Sequence, residues 1–542
     1  MQDAPNTELE ARLSELSQER DHYRKLYLEQ LERCALLERG IIAGKKAERF
    51  TTDGSQLTLG VLGLMLTPEE PEALEVTETP EAPPAAPSEE EGQAPRPAAR
   101  RATGRRAITS LLPRVDIEVL PPEVQREGLD AFERIGEEVS QVVEHRPSSL
   151  VLVRIVRPKF VRKRPADMDD AAEPTESPVL IAEPPERPIE RGLAGPGLLA
   201  KTIVYRWQDH LPLYRQEKIH GRDGLELARS TMCGWHEQLA DLAEPLVDAM
   251  MRDAFTAPYL CTDATGVLVQ AKEQCRRAHF WVLVAPGRHV LYRYSHKHDG
   301  EAVDRLLAGY KGHLVADAHS VYDHLYQTGD VIEVGCWAHC RRYFYKALSS
   351  DPARAEHALS LIRGLYRLER PLQTATRKKR EEVRRQKSRP IADAFFDWCE
   401  QQAAHVLDET PISKALGYAR NQRAALRRFL DDGRLPLDNN ISEQHLRREV
   451  LGRKNWLFLG SDEGAHANTV FVTLLASCQL HGIEPWAYLR DLLCLLPSWP
   501  KSRVLELAPA FWQQTLQQEN TQQRLAANVF RGISLVEHAP TT

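Results

Sequence analysis

Between residues 9 and 41, Leu9, Leu13, Leu16, Arg20, Tyr23, Tyr27, Gln30, Cys34, Leu37 and Ile41 recur at alternating three- and four-residue steps, with charged residues elsewhere. That spacing predicts a coiled coil within 1–50, with Arg20 and Gln30 as polar breaks in its seam. The seam serves either self-association or packing on the rest of the chain. Within 107–165 a small mixed module is expected: 148–156 (SSLVLVRIV) alternates as a strand, and Arg157-Pro-Lys-Phe-Val-Arg-Lys-Arg follows as a basic tail. Over 190–252 the period becomes helical. One helix covers 196–207, a second runs from near Pro212 to Gly221, and a third is N-capped by Ser230 and carries Trp235. Helix, helix, glycine turn and helix fit a helix-turn-helix, and equally a plain helical packing unit.

From 255 the apolar runs shorten. Strands are expected over 258–262, 266–271, 278–284 and 289–294, then a helix over 300–309, a strand over 312–316, a helix over 319–327 and a strand over 331–334. Hairpin-linked strands followed by strand–helix alternation predict an α/β fold with a sheet of antiparallel and parallel parts. Residues 337–434 are charged with helical periodicity and read as a helical insertion. Asp438 would then cap a helix that returns to the sheet, so that 255–336 and 435–480 form one domain and 481–542 a C-terminal helical segment.

The 542 residues are 42% hydrophobic and 27% charged, a soluble multidomain composition. The net charge of −6 argues against a polyanion partner until its distribution is considered. Residues 67–92 hold nine Glu and no basic residue, and Arg96, Arg100, Arg101, Arg105 and Arg106 follow at once. This stretch, 67–106, is expected to be a disordered linker, acidic and then Arg-rich. A second acidic linker is expected near 166–190. Another basic run, Arg377-Lys-Lys-Arg-Glu-Glu-Val-Arg-Arg-Gln-Lys-Ser-Arg, lies downstream. Nine scattered cysteines, the lack of a secretory signal, and no apolar run near the roughly 20 residues of a membrane helix predict a cytoplasmic protein.

Three acids carry the chemistry. Asp263 closes Pro258-Tyr-Leu-Cys-Thr-Asp, Asp317 closes His313-Leu-Val-Ala-Asp, and Glu443 lies within Asp438-Asn-Asn-Ile-Ser-Glu-Gln-His-Leu-Arg-Arg. Two strand-end aspartates and a helical glutamate offer the hard oxygens that Mg²⁺ requires. Two such ions roughly 3.5–4 Å apart can stabilise both attacking and leaving oxygens of a phosphoryl transfer. Glu443 and Arg447 share a helical face, where they form either a surface pair or part of a site. Arg453 and Lys454 are expected in a following turn, free to meet phosphate oxygens.

The stretch from Leu437 through Gly452-Arg-Lys-Asn-Trp resembles the catalytic end of the insertion sequence 66 family of bacterial transposases. So do His210-Leu-Pro-Leu-Tyr-Arg-Gln, Cys336-Trp-Ala-His-Cys-Arg-Arg and His481-Gly-Ile-Glu-Pro-Trp-Ala-Tyr-Leu-Arg-Asp, in the family's order. The resemblance implies a DDE active site on a ribonuclease-H-like fold, with Asp263, Asp317 and Glu443 as catalytic and metal-binding residues. It also implies two Mg²⁺ ions, for which Mn²⁺ can substitute. The chain departs from the family at Ala264, where a glutamate is usual. Pro121 to Asp170 also lacks the cysteines of the family's zinc module, so no zinc is expected there. Cys336, His339 and Cys340 supply three ligands without a fourth and are read as packing, with Arg341 and Arg342 facing DNA.

The expected partners are transposon-end and target double-stranded DNA, a second copy through the coiled coil, and small accessory proteins of the same element. The location would be the bacterial nucleoid. DNA contacts are expected from Arg100, Arg101, Arg105, Arg106, Arg229, Arg447, Arg453 and Lys454, with 190–252 reading the ends. Two other readings share these features: a nuclease on the same fold without strand transfer, and a catalytically silent DNA-binding protein derived from a transposase.

Overall fold

The computed structural model describes residues 113–146, 149–163, 179–272 and 274–535. The expected coiled coil, the linker over 67–106 with Arg100, Arg101, Arg105 and Arg106, and much of the second acidic linker lie outside the described residues.

Two sheets organise what is described. The first has four strands, β1 (Arg114–Glu118), β2 (Phe132–Arg146), β3 (Ser149–Arg162) and β4 (Leu180–Ile181). The helix α1 (Pro122–Glu127) precedes β2. β3 pairs antiparallel with β2 along almost its whole length and parallel with β1. The basic tail expected after Val156 is therefore strand. Arg157 and Lys159 pair with Glu138 on β2 at 2.6 and 3.1 Å, so cross-strand acids neutralise the cations that suggested a tail. Val142, Val151, Val153 and Ile155 form one buried face with Phe530 and Ile533.

Helices α2 (Pro196–Trp207), α3 (Leu213–Arg222) and α4 (Arg229–Ala254) follow. Ser230 does not cap α4, whose N-cap position is Ala228. The inner faces of these helices enter the main core, where Trp207 lies 4.9 Å from Phe471 between ring centroids.

The second sheet comprises β5 (Tyr259–Val269), β6 (Arg276–Ala285), β7 (His289–Ser295), β8 (Gly312–Val315) and β9 (Val331–Val334), in the order β7-β6-β5-β8-β9. β7, β6 and β5 are antiparallel neighbours; β5, β8 and β9 are parallel. The mixed α/β architecture agrees with the expectation. One detail differs: the runs 258–262 and 266–271 are a single strand. β6 pairs with β5 from Cys261 to Val269 without interruption, so no turn forms at Gly266. Helices α5 (Gly300–Leu306) and α6 (Asp323–Gln327) make the connections on either side of β8.

Beyond β9 the helices α7 (Trp337–Lys346), α8 (Pro352–Glu369), α9 (Arg377–Val383), α10 (Arg389–Ala403), α11 (Pro411–Asn421) and α12 (Arg423–Arg427) separate the sheet from α13 (Asn440–Trp456). α14 (Asp462–Leu480) then lies along β7. Its Ser477 and Thr473 hydroxyls accept the Val290 and Tyr292 backbone N–H groups at 3.1 and 2.9 Å, which satisfies an edge strand that would otherwise recruit another chain. The remaining helices are α15 (Pro485–Leu495), α16 (Pro509–Gln517), α17 (Glu519–Ala527) and α18 (Val529–Leu535).

The basic run from Arg377 to Arg389 is largely spent inside the insertion. Arg377 pairs with Glu381, Arg389 with Asp431, and Arg380 donates to the Leu372 and Gln373 carbonyls. Arg384 is buried, bidentate to Glu369 at 2.8 Å, and donates to the Phe429 and Asp432 carbonyls. Replacing it by alanine strands a carboxylate and two carbonyls. Arg384→Ala is expected to cost about 3–5 kcal/mol in urea unfolding. A loss below about 1 kcal/mol would show that the buried pair is dispensable.

Candidate active site

Asp263 lies within β5, opposite Val282 of β6, and not at a strand end as expected, because pairing with β6 carries the strand on to Val269. Its Oδ1 accepts the Ala264 backbone N–H at 2.7 Å, which holds the carboxylate against its own strand. Asp317 stands two residues beyond β8. The parallel register matches Cys261 with Val315, so each aspartate comes two residues after the same rung. The strands themselves run about 4.8 Å apart. Glu443 sits in the first turn of α13 and is largely covered.

The placement of Glu443 depends on how α13 is fastened to β5. Asn439, at the N-cap position, is fully buried. Its Nδ2 donates to the carbonyl of Thr262, the neighbour of Asp263, at 2.8 Å. Its Oδ1 accepts Ser442 Oγ at 2.9 Å, and its backbone N–H donates to Cys336 Sγ at 3.2 Å. Asp438, the expected cap, stands one residue earlier; it still accepts the Asn440 amide at 3.1 Å and also the Tyr366 hydroxyl at 2.8 Å. At the far end, Arg453 donates to Thr265 Oγ1 at 3.0 Å and to the Gly266 carbonyl. Gly452 is needed there, because a Cβ would lie 2.8 Å from the Trp456 ring nitrogen. Leu459 then joins β5 through Leu268 and Gln270.

Arg453 and Lys454 thus occupy the last turn of the helix itself, and not a turn that follows it as expected. Arg453 is a clamp on β5, whereas Arg447 and Lys454 are exposed. Arg229 pairs with Glu217 at 3.1 Å. Arg342, expected to face DNA, turns to Glu443 at 3.2 Å, with His339 Nε2 at 3.7 Å from the same oxygen. Sequence reasoning missed Asn439 and this Arg342 contact. The Asn-Asn pair before Ile441 was a signal for the first; nothing local marks the second.

Burial pushes the Asp263 carboxyl up to about 7, with the Asp317 and Glu443 charges adding to the rise and the Ala264 amide and Arg342 opposing it. Both acids therefore act on Asp263 through space. Burial likewise depresses His339 and raises Cys336 to about 12, so that thiol is neutral where it meets Asn439. Among the described residues no three His, Cys, Asp or Glu side chains form a ready-made ion site, and Glu443 rests on Arg342. The donor set is nevertheless all carboxylate oxygen, which fits a hard divalent cation once Arg342 gives up Glu443.

Residues 191–467 match the transposase IS66 family, and residues 473–510 match the IS66 C-terminal element. The chain belongs to the transposase IS66 family. Both curated relatives that follow are themselves uncharacterized proteins of Sinorhizobium fredii. This family member is 31% identical to y4qI over 439 residues, 77% of this chain and 78% of the relative. To y4hP it is 27% identical over 412 residues, 71% and 73% of the two chains. Among the described residues of this transposase, no helix is long and apolar enough to cross a membrane.

Two measurements follow from this geometry. A carboxyl raised from 3.8 to about 7 binds its proton more tightly when folded, so its contribution to stability falls as pH rises through that window. In chelator, Asp263→Asn should therefore melt above wild type near pH ~8 and converge with it near pH ~4. A variant that melts lower near pH ~8 would mean the carboxylate is stabilised as an anion. Asn439→Ala should cost about 1–3 kcal/mol by stranding buried polar groups. Unchanged thermal stability in that variant would show that α13 is fastened by other contacts.

Proposed function

We propose that Asp263, Asp317 and Glu443 are the catalytic triad of a DDE transposase that cuts element ends and joins the freed 3′-hydroxyl to target DNA. The observation that carries this reading is the common register of Asp263 and Asp317 on neighbouring parallel strands, supported by the Glu443 charge that helps raise the Asp263 carboxyl. The sheet order, three antiparallel strands followed by two parallel ones, supports a ribonuclease-H-like domain over 255–336 and 435–480, interrupted by the helical insertion 337–434.

In this reading Asp263, Asp317 and Glu443 hold two Mg²⁺ ions, or Mn²⁺ in their place. When bound, these would supply charge stabilisation at the attacking and leaving oxygens. The protein's own part is placement. The Ala264 amide and the Asn439 staple hold Asp263 and the start of α13, while Arg342 must release Glu443 before that carboxylate can serve as a ligand. No zinc enters the scheme. Arg447 and Lys454 contact phosphates beside the site, and Arg100, Arg101, Arg105 and Arg106 add sequence-independent contacts. Residues 190–252, with Arg229 at the exposed start of α4, read the ends. The coiled coil pairs two copies.

Asp263→Asn, Asp317→Asn and Glu443→Gln should each lower Mg²⁺-dependent cleavage of the DNA flanking the coding sequence by roughly 10⁴-fold or more, with DNA binding retained. Near-normal strand transfer by any one of them removes that residue from the triad. Cleavage without joining by the wild type would favour a nuclease, and binding without cleavage a silent DNA-binding protein.

A further inference from the structure

The far end of α13 terminates in a strained apolar tip. Leu457 has φ 64° and ψ −54°, and the Phe458 N–H donates to the Trp456 carbonyl at 2.8 Å. This is a γ-turn of the rare, strained hand, built on a residue with a bulky side chain where glycine would sit freely. Leu457 is nevertheless 67% exposed and Phe458 43%. The base of the turn is fixed on both sides. Leu457 N–H closes the helix onto the Arg453 carbonyl at 2.8 Å, and Leu459 is buried with Val267, Val269 and Phe280 while it pairs with β5. A rigid frame thus displays two large apolar side chains at a conformational cost, which is the pattern expected of a functional feature.

The approach to this tip is cationic. Taking the direction of Glu443 on α13 as reference, Arg447 lies about 40° and Lys454 about 20° around the helix axis. Both are exposed, and neither forms an ion pair among the described residues. One helix face therefore leads from the acid cluster, past two free cations, to the tip. From Glu443 to Leu457 the helix rises about 21 Å, which corresponds to about six base steps at 3.4 Å each.

We propose that Leu457 and Phe458 form a wedge that enters the base stack of duplex DNA lying along α13, about six base steps from the phosphate at the acid cluster. Apolar side chains between base steps unstack and kink a duplex, and flanking cations hold its backbone while they do so. Lys454 beside the tip, with Arg447 further back on the same face, favours a polyanion over an apolar protein face. The inference rests on the transposase reading for the site of the reacting phosphate, but unstacking can be measured without the reaction.

The test uses the full chain carrying Asp263→Asn, bound to a duplex from the DNA flanking the coding sequence, with 2-aminopurine scanned along one strand. Fluorescence should rise at one base step, about six from the position that the wild type cuts. Adding Leu457→Gly and Phe458→Ala should abolish the rise at saturating protein. Leu457→Gly alone should unfold no earlier than its parent, because glycine relieves the turn, so a lost signal is not a lost fold. Lys454→Ala should weaken binding yet leave the rise at saturation. A rise that survives the double substitution, or DNA bound with no rise at any position, overturns the wedge. So does conversion of a dimer to monomer by the double substitution with the rise intact, which would assign the tip to a second copy. Cutting without unstacking sinks the wedge alone; unstacking without cutting by the wild type sinks the catalytic reading and leaves the wedge.

Discussion

One buried amide joins the strand that carries Asp263 to the helix that carries Glu443. Asn439 donates to the carbonyl beside Asp263 while it receives Ser442 and meets Cys336, so β5, the returning helix and the residue that precedes α7 are tied at one point. A buried amide is costly unless its bonds are made, and here two of its partners come from distant stretches of chain. The helix cannot slide along β5 without stranding them. Arg453 and Leu459 apply the same restraint at the other end, which makes α13 a rigid arm with Glu443 near its start.

The insertion is part of this arrangement and not an appendage. Trp337, fully buried, donates its ring N–H to the Leu426 carbonyl at 2.8 Å, and its backbone N–H reaches Leu437. Gly335 admits that contact, since a Cβ would lie 2.8 Å from the Leu426 backbone nitrogen. α7 is therefore held where Arg342 meets Glu443. A segment between β9 and α13 so supplies the cation that occupies the third acid.

Charge is divided along similar lines. Most arginines of the run from Arg377 to Arg389 satisfy carboxylates and carbonyls within the insertion, and β3 pairs its cations with β2. Arg447 and Lys454 on α13 stay exposed, with no ion pair among the described residues. A net charge of −6 is thus compatible with a polyanion partner, because local placement decides the field at a site.

The sequence by itself determined the local elements and the residue types of the site. Alternation and glycine spacing located 196–207 and 331–334 at the bounds that the structure shows, and Asp263 and Asp317 stood out because apolar runs end on them. Those signals are local, and local propensity is readable along a chain. Other features were decided only by pairing between distant segments. β6 kept 258–271 from breaking into two strands; β2 turned a basic tail into β3; Glu369 and Asp431 absorbed a basic run that looked free. The partner of Glu443 lies 101 positions away on α7 and that of Asn439 lies 177 away on β5, separations at which no periodicity survives. Composition can state that a carboxylate or an amide needs a partner. Which group provides it is settled when the fold closes and buried polar groups take the donors and acceptors within reach.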